Sequence, residues 1–275
     1  MKTTRTFQWM AALVMGMAMT CVTMTSCSND DNPVDDEADI PSDYSYEGHG
    51  SINGHEYVEL GGRKWATCNL GANKPWEYGE YYAWGTTRPY YLTEYSIWVD
   101  GKTGYNWANY PFMEAGYADE KHITKYNSID GKKKFADYNY VDDAARQRWG
   151  GTWRIPTNDE FYWLIIRNNS EWKTNYLGTG INGLLVSDKD DPDRCIFFPA
   201  AGWLRESPVA GYNPYAGSEG CYWASERLDT GRPEKDRNFE YDAYCLYINN
   251  NEDKPALFSF VNSRYFGQSI RPVSN

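Results

Sequence analysis

Asp142-Asp143-Ala144-Ala145-Arg146-Gln147-Arg148-Trp149-Gly150-Gly151-Thr152-Trp153-Arg154-Ile155-Pro156-Thr157-Asn158-Asp159-Glu160-Phe161 holds two helix signals within twenty residues. In the first, carboxylates open the run, arginines stand near its end, and Gly150-Gly151 stops it, which is the charge order a helix dipole favours. In the second, Thr157 with Glu160 three residues on is a capping box, and Pro156 fixes the start. Phe161, Leu164, Ile165 and Asn168 then recur at helical spacing. Short strand-like runs flank this pair on both sides.

Upstream, Tyr57–Leu60 and Lys64–Cys68 are joined by Gly61-Gly62, a hairpin signal, and Glu80–Trp84 is an aromatic run closed by Gly79 and Gly85. Downstream, Gly183–Ser187 and Cys195–Phe198 flank a polar loop over 188–193. Cys221–Ser225, Ala243–Ile248, Ala256–Val261 and Gln268–Val273 complete the set. Strands on both sides of a helical pair predict an α+β fold with short, mostly antiparallel strands, two short helices and long loops. Residues 86–140 keep no period and read as a long irregular excursion.

The N-terminus reads as an address. Lys2 and Arg5 precede an apolar run over Trp9–Val22, too short to span a bilayer, so residues 1–26 are read as a secretory signal peptide. Met24-Thr25-Ser26-Cys27 resembles a bacterial lipoprotein box, with Cys21 as its rival and an ordinary secreted protein as the alternative. Acyl chains on Cys27 would hold the protein on the outer membrane. Residues 27–47 carry eight carboxylates with no Lys or Arg and are read as an acidic, solvated tether. Residues 48–275 are left as one domain, long enough for a core of its own. The 275-residue chain carries 27 basic and 38 acidic side chains, a net charge of −11. Loss of Lys2 and Arg5 makes that −13, of which −8 is tether and about −5 the body. Such a field repels nucleic acid.

Several strings then become recognisable together. They are Arg63–Ala72, Glu77–Gly85, Asp142–Arg146, Trp149–Thr157, Phe198–Gly202, Tyr222–Ser225 and Gly267–Val273. In this order they resemble the Fibrobacter succinogenes major paralogous domain family, abundant in Bacteroidetes surface lipoproteins. The acidic Ser28-Asn29-Asp30-Asp31 resembles the export signal of those lipoproteins. The resemblance implies a C-type-lectin-like fold, exposure at the cell surface, and adhesive, pilus-tip or glycan-binding roles. It does not extend through most of residues 86–140, so no ligand specificity carries over there.

For chemistry, three histidines offer little to a metal site or a triad. Asp188, Asp190 and Asp193 lack the turn glycine and twelfth-position glutamate of a calcium loop, and no metal or other cofactor is expected. Cys68, Cys195, Cys221 and Cys245 are candidate disulfide partners in an exported chain, or buried thiols. Glu226 and Asp242 are candidate members of a glycosidase pair, but no hydrolase motif accompanies them and no catalytic residue is assigned.

The distinctive number is 17% aromatic residues, with 24 Tyr and 12 Trp. Trp65, Trp84, Trp149, Trp153 and Trp223 lie inside the shared strings and are expected in the core. Trp98, Trp107, Tyr110, Trp203, Tyr212 and Tyr215 lie in loop-like sequence, where such rings can stack on a sugar face or can cover a loop-rich body. Asn250, Arg264 and Tyr265 supply further polar and aromatic groups near the C-terminus. The expectation is a non-catalytic surface lipoprotein that binds an extracellular glycan or protein. The alternatives are a structural or tip subunit of a surface fibre, and a glycoside hydrolase.

Overall fold

The computed structural model describes residues 49–89, 104–205, 212–229 and 240–275. Residues 1–26, read as a signal peptide, residues 27–47, read as an acidic tether, and with them Cys21 and Cys27, as well as Trp98, lie outside the described residues. All described residues belong to one compact unit, Glu37–Asn275.

Strands β1 (Gly50–Ile52), β2 (His55–Leu60) and β3 (Arg63–Ala66) form a meander. Its turns are two residues long, with Ile52 opposite His55 and Leu60 opposite Arg63. Both turns need positive φ at both positions, which Asn53 (50°), Gly54 (85°), Gly61 (62°) and Gly62 (80°) provide. The last strand, β10 (Val273–Ser274), pairs with β3, giving the order β1-β2-β3-β10.

The capping residues place both helices where their sequence signals stand. Helix α1 (Ala144–Trp149) starts at Asp143, whose carboxylate accepts from Arg146 N at 3.0 Å and Ile155 N at 2.8 Å. One side chain thus caps α1 and holds the segment leading to α2 (Asn158–Arg167). In the capping box, Glu160 N donates to Thr157 Oγ1 at 3.1 Å and Thr157 N to Glu160 Oε2 at 2.9 Å. Glu160 also receives both terminal nitrogens of Arg154, at 2.6 and 2.7 Å, and Arg63 Nε at 2.6 Å. Burial alone would raise its pKa. The hydrogen bond and charge of Arg154, with Thr157 and Arg63, outweigh burial and bring it to about 2.

Two further antiparallel sheets follow: β4 (Asn169–Lys173), β5 (Gly183–Ser187) and β6 (Cys195–Pro199), then β7 (Glu219–Arg227), β8 (Asp242–Asn249) and β9 (Ala256–Ser263). Three small antiparallel sheets and two helices among the described residues make the fold α+β. The β7–β9 sheet separates two cores. Tyr222, Ala224, Leu246 and Ile248 pack with α2 residues Phe161 and Leu164 and with Trp65 and Phe198. Cys221, Trp223, Ala243 and Cys245 face the other core, built on Trp84, Tyr126, Phe135 and Trp153.

The five tryptophans of the shared strings are buried as expected, none more than 9% exposed. Trp65, Trp84, Trp153 and Trp223 each give their indole N–H to a backbone carbonyl, so burial strands no donor. Arg271 is also buried and donates to Asn69 Oδ1 and to the carbonyls of Ala66, Thr67 and Phe197 at 2.7–3.1 Å. It ties the end of β3 to β6.

Two strand expectations change, and a third strand carries a bulge. Glu80–Trp84 forms no strand, and Trp84 stands in a turn: the N–H groups of Glu80, Tyr82 and Trp84 go to Leu70, Gln268 and Arg264. Residues 268–271 likewise divide their bonds among several segments, which leaves only Val273–Ser274 as a strand. In β9 an extra residue lies between Leu257 and Phe260 opposite β8, a bulge in which Ser259 adopts φ 57°.

Candidate functional site

The residues nominated in loop-like sequence fall into two groups with opposite fates. The first is built around Trp203. Gly202 N donates to Glu219 O at 2.7 Å, and Leu204 exchanges backbone hydrogen bonds with Gly267 at 2.7 and 2.8 Å, so both neighbours of Trp203 are fixed. Gly202 has φ 61°, and a Cβ there would collide with Asn213 Oδ1 and Ala216 N. Its missing side chain lets the segment over 212–218 close against it.

That closure lays Tyr215 on Trp203, centroids 3.8 Å apart and planes 12° from parallel. Tyr247 of β8 lies 6.3 Å from Trp203, and Phe260 of β9 stacks 4.9 Å from Tyr247. The result is a ledge, Tyr215–Trp203–Tyr247–Phe260. Its inner side is anchored, since Trp203 and Tyr247 pack against the Trp84–Trp223 core. Trp203, Tyr215 and Tyr247 are half-buried, and Phe260 is 37% exposed. Tyr247 donates its hydroxyl to Glu219. Burial first, and then that bond and charge, hold the phenol well above its ordinary value. Tyr212, 56% exposed, precedes Tyr215, and exposed Asn250 follows Asn249, the β8 partner of Glu219. Flat rings with a fixed back and a polar rim can stack on the apolar face of a sugar or on a protein side chain.

The second group closes on itself. Arg264 is 0% and Tyr110 3% exposed, so neither presents a surface to a ligand. Both residues, expected at a ligand surface, are core. Arg264 Nε donates to Tyr110 Oη at 2.9 Å, Nη1 to the carbonyls of Tyr126 (3.2 Å) and Glu240 (3.1 Å), and Nη2 to Lys125 O (3.0 Å). Its guanidinium lies 4.6 Å from the Trp84 ring centre. Tyr110 gives its own proton to Trp84 O at 2.8 Å. Half-buried Trp107 and Tyr265 pack edge-on at 4.9 Å as the cover of this hub.

Sequence reasoning missed Tyr247, Phe260 and Glu219. The available signal was alternation: Ala243, Cys245 and Tyr247 are alternate residues of one strand, and only the last is large with a polar tip.

The two carboxylates considered for hydrolysis have separate partners. Glu226 accepts from Asn158 N at 2.8 Å, and burial, partly offset by that bond and by Lys134, pushes its pKa up to about 7. Asp242 accepts from Ser263 Oγ at 3.2 Å, and burial pushes it up to about 6. Neither charge enters the surroundings that shift the other. Cys68, Cys195, Cys221 and Cys245 are thiols, none in a disulfide. Asn262 Nδ2 lies 3.4 Å from Cys221 Sγ and 3.9 Å from Cys245 Sγ. Burial, then contact with Cys245, raises the Cys221 thiol well above its ordinary value. In the polar loop Asp188 accepts from the N–H groups of Asp190 (2.8 Å) and Asp191 (3.3 Å). Among the described residues no three His, Cys, Asp or Glu side chains converge to hold a metal.

No protein-family profile, curated protein or solved structure matched the chain.

Proposed function

We propose that the chain is a cell-surface lipoprotein, acylated at Cys27, whose C-type-lectin-like domain binds an extracellular glycan or protein without catalysis. The observation that carries the reading is the Tyr215–Trp203–Tyr247–Phe260 ledge, which is rigid behind and open in front. The antiparallel α+β architecture, with the first hairpin and the last strand in one sheet and long loops elsewhere, supports the lectin-like part. The apolar leader, Cys27 and the acidic tether support the anchor.

The test is an array of glycans and extracellular proteins probed with the intact chain in detergent, beside the Trp203→Ala variant. Binding that Trp203→Ala removes is expected; silence on both arrays from folded protein would sink the proposal. For the anchor, Cys27→Ser should abolish fatty-acid labelling and release the protein from the membrane fraction.

One observation favours a second reading, a structural or tip subunit of a fibre. Strand β9 is the outer strand of its sheet and leaves Leu257 and Phe260 each 37% exposed, and such edges invite pairing. Against it, the bulge at Ser259 interrupts the edge. Asn158 clasps that residue, its Nδ2 on Ser259 Oγ at 2.8 Å and its Oδ1 on Ser259 N at 3.1 Å. A fibre subunit would leave cells in a stable complex, whereas the ligand-binding reading expects a separate protein. A glycosidase would release sugar until Glu226→Gln or Asp242→Asn stopped it; no release is expected.

A further inference from the structure

Beside the Gly61-Gly62 turn runs a groove of about 500 Å³, lined by Glu59, Arg63, Lys64, Asp188, Arg194 and Asn275. It shares Gly61 and Arg63 with a second hollow of about 250 Å³, walled by Trp163 and Arg167. Together they have the size of a site for a small molecule of several rings. None of these residues belongs to the aromatic ledge.

The charges along this groove are unevenly committed. Of its carboxylates, Glu160 is matched by Arg154 and Arg63, while Asp188 accepts two N–H groups of its own loop and stays an anion that also feels the Arg194 charge. Glu59 is the third. Against these three carboxylates stand four cations. Arg63 uses Nε on Glu160 and Nη1 on Gly62 O, yet its side chain stays 45% exposed. Lys64 lies over the Tyr57 ring at 5.5 Å. Arg194 makes a long 3.5 Å pairing with Asp191, while its Nε is buried and finds no hydrogen-bond partner among the described residues. An unpaired buried donor is costly, and an incoming acceptor would relieve it. Arg167 is stacked on Trp163 at 4.1 Å, which orders its guanidinium while leaving the N–H edge for an anion. Trp163 itself is 42% exposed. In a chain of net charge −11, this is a local concentration of ordered cations beside an open indole.

We propose that this groove is a second binding site, for an acidic saccharide. Arg63, Lys64 and Arg194 hold a carboxylate in the larger hollow. Trp163 and Arg167 take a neighbouring ring and its acidic group in the smaller one. The carboxylate supplies what the cations lack, and the sugar face supplies what the indole needs.

The experiment is calorimetric titration of the intact chain with trigalacturonate and, for comparison, neutral maltotriose, at low and high salt. Trigalacturonate should bind through this groove more tightly than maltotriose and lose affinity as salt rises. Lys64→Gln with Arg194→Gln, both at the surface, should weaken it by about tenfold or more, and Trp163→Ala by a comparable factor. Trp203→Ala should leave it unchanged. Absence of binding, or binding indifferent to the Lys64/Arg194 pair, overturns the proposal. Loss in Trp203→Ala alone moves the ligand to the ledge, which overturns this site and spares the ledge reading. Equal affinity for a hexaglutamate peptide overturns the saccharide assignment in favour of an acidic peptide.

Discussion

The Arg264 hub and the Trp203 ledge are drawn from the same kind of sequence, yet one became core and the other surface. Both gather aromatic residues from loops and from the C-terminal third of the chain. In the hub a guanidinium sits among the rings and reaches three backbone carbonyls and the Tyr110 hydroxyl. It satisfies acceptors that loops leave unpaired, so the loops can be buried. In the ledge no cation among the described residues does this; the polar partner is Glu219, which takes the Tyr247 hydroxyl. Aromatic content is therefore no guide to a binding surface. A buried group that serves loop carbonyls is what decides.

The contrast is broken most directly at Arg264. Arg264→Met keeps much of the volume and leaves the carbonyls of Lys125, Tyr126 and Glu240 without their donor. It should lower unfolding free energy by about 3–5 kcal/mol, the range for stranding buried polar partners. Urea denaturation measures this. A variant as stable as the parent would mean that the hub is ordinary apolar packing and that the comparison has the wrong cause.

The same rule separates two glutamates and gives a pH test. Glu160, matched by arginines, is held at about 2, whereas Glu226, given one backbone N–H and a neighbouring lysine, is pushed up to about 7. Asp143, buried, and Asp242, partly buried, rise to about 6. For the three raised groups the native state holds protons that the unfolded chain has released, so stability falls as pH rises from about 4 to about 7. Glu160 acts oppositely: its contribution is complete above its ordinary pKa of 4.5 and is lost as pH falls toward about 2. Maximum stability is expected near pH 4 to 5, with each group contributing on the order of 1–2 kcal/mol. Glu226→Gln should flatten the decline toward neutrality. Stability that climbs steadily from pH 5 to 8 would contradict the assignment.

The sequence made the local part of this legible. Asp143, Thr157 and Glu160 announce their helices because a cap is made within a few residues. Gly61-Gly62 announces its hairpin because two positive φ angles leave little other choice. Strand β4 was missed because Asn169-Ser170-Glu171-Trp172-Lys173 is an outer strand whose residues are mostly polar and half-exposed. Arg264 was misread as a surface group because its partners lie up to 154 residues away and are mostly backbone, which no pattern records. Half the ledge was legible at Trp203 and Tyr215. Tyr247 carried the alternation of β8 as its signal, whereas Phe260 did not, since its place beside Tyr247 goes with the bulge at Ser259 in β9.

The ledge is where the smallest stability effects and the clearest functional ones should appear. Trp203 is half-buried and held by Tyr215, so Trp203→Ala should cost about 1–2 kcal/mol, well short of a fully buried tryptophan, while removing ligand binding. Tyr247→Phe keeps the ring and deletes the hydroxyl on Glu219. It should change stability by less than about 1 kcal/mol and leave apolar stacking intact, but it frees the Glu219 carboxylate at the rim. A ligand that stacks will then bind as before, whereas one that also uses the Tyr247–Glu219 pair will lose affinity. If Tyr247→Phe proved as damaging to folding as Arg264→Met, the ledge too would be held by a buried polar group, and the difference between the two regions would disappear.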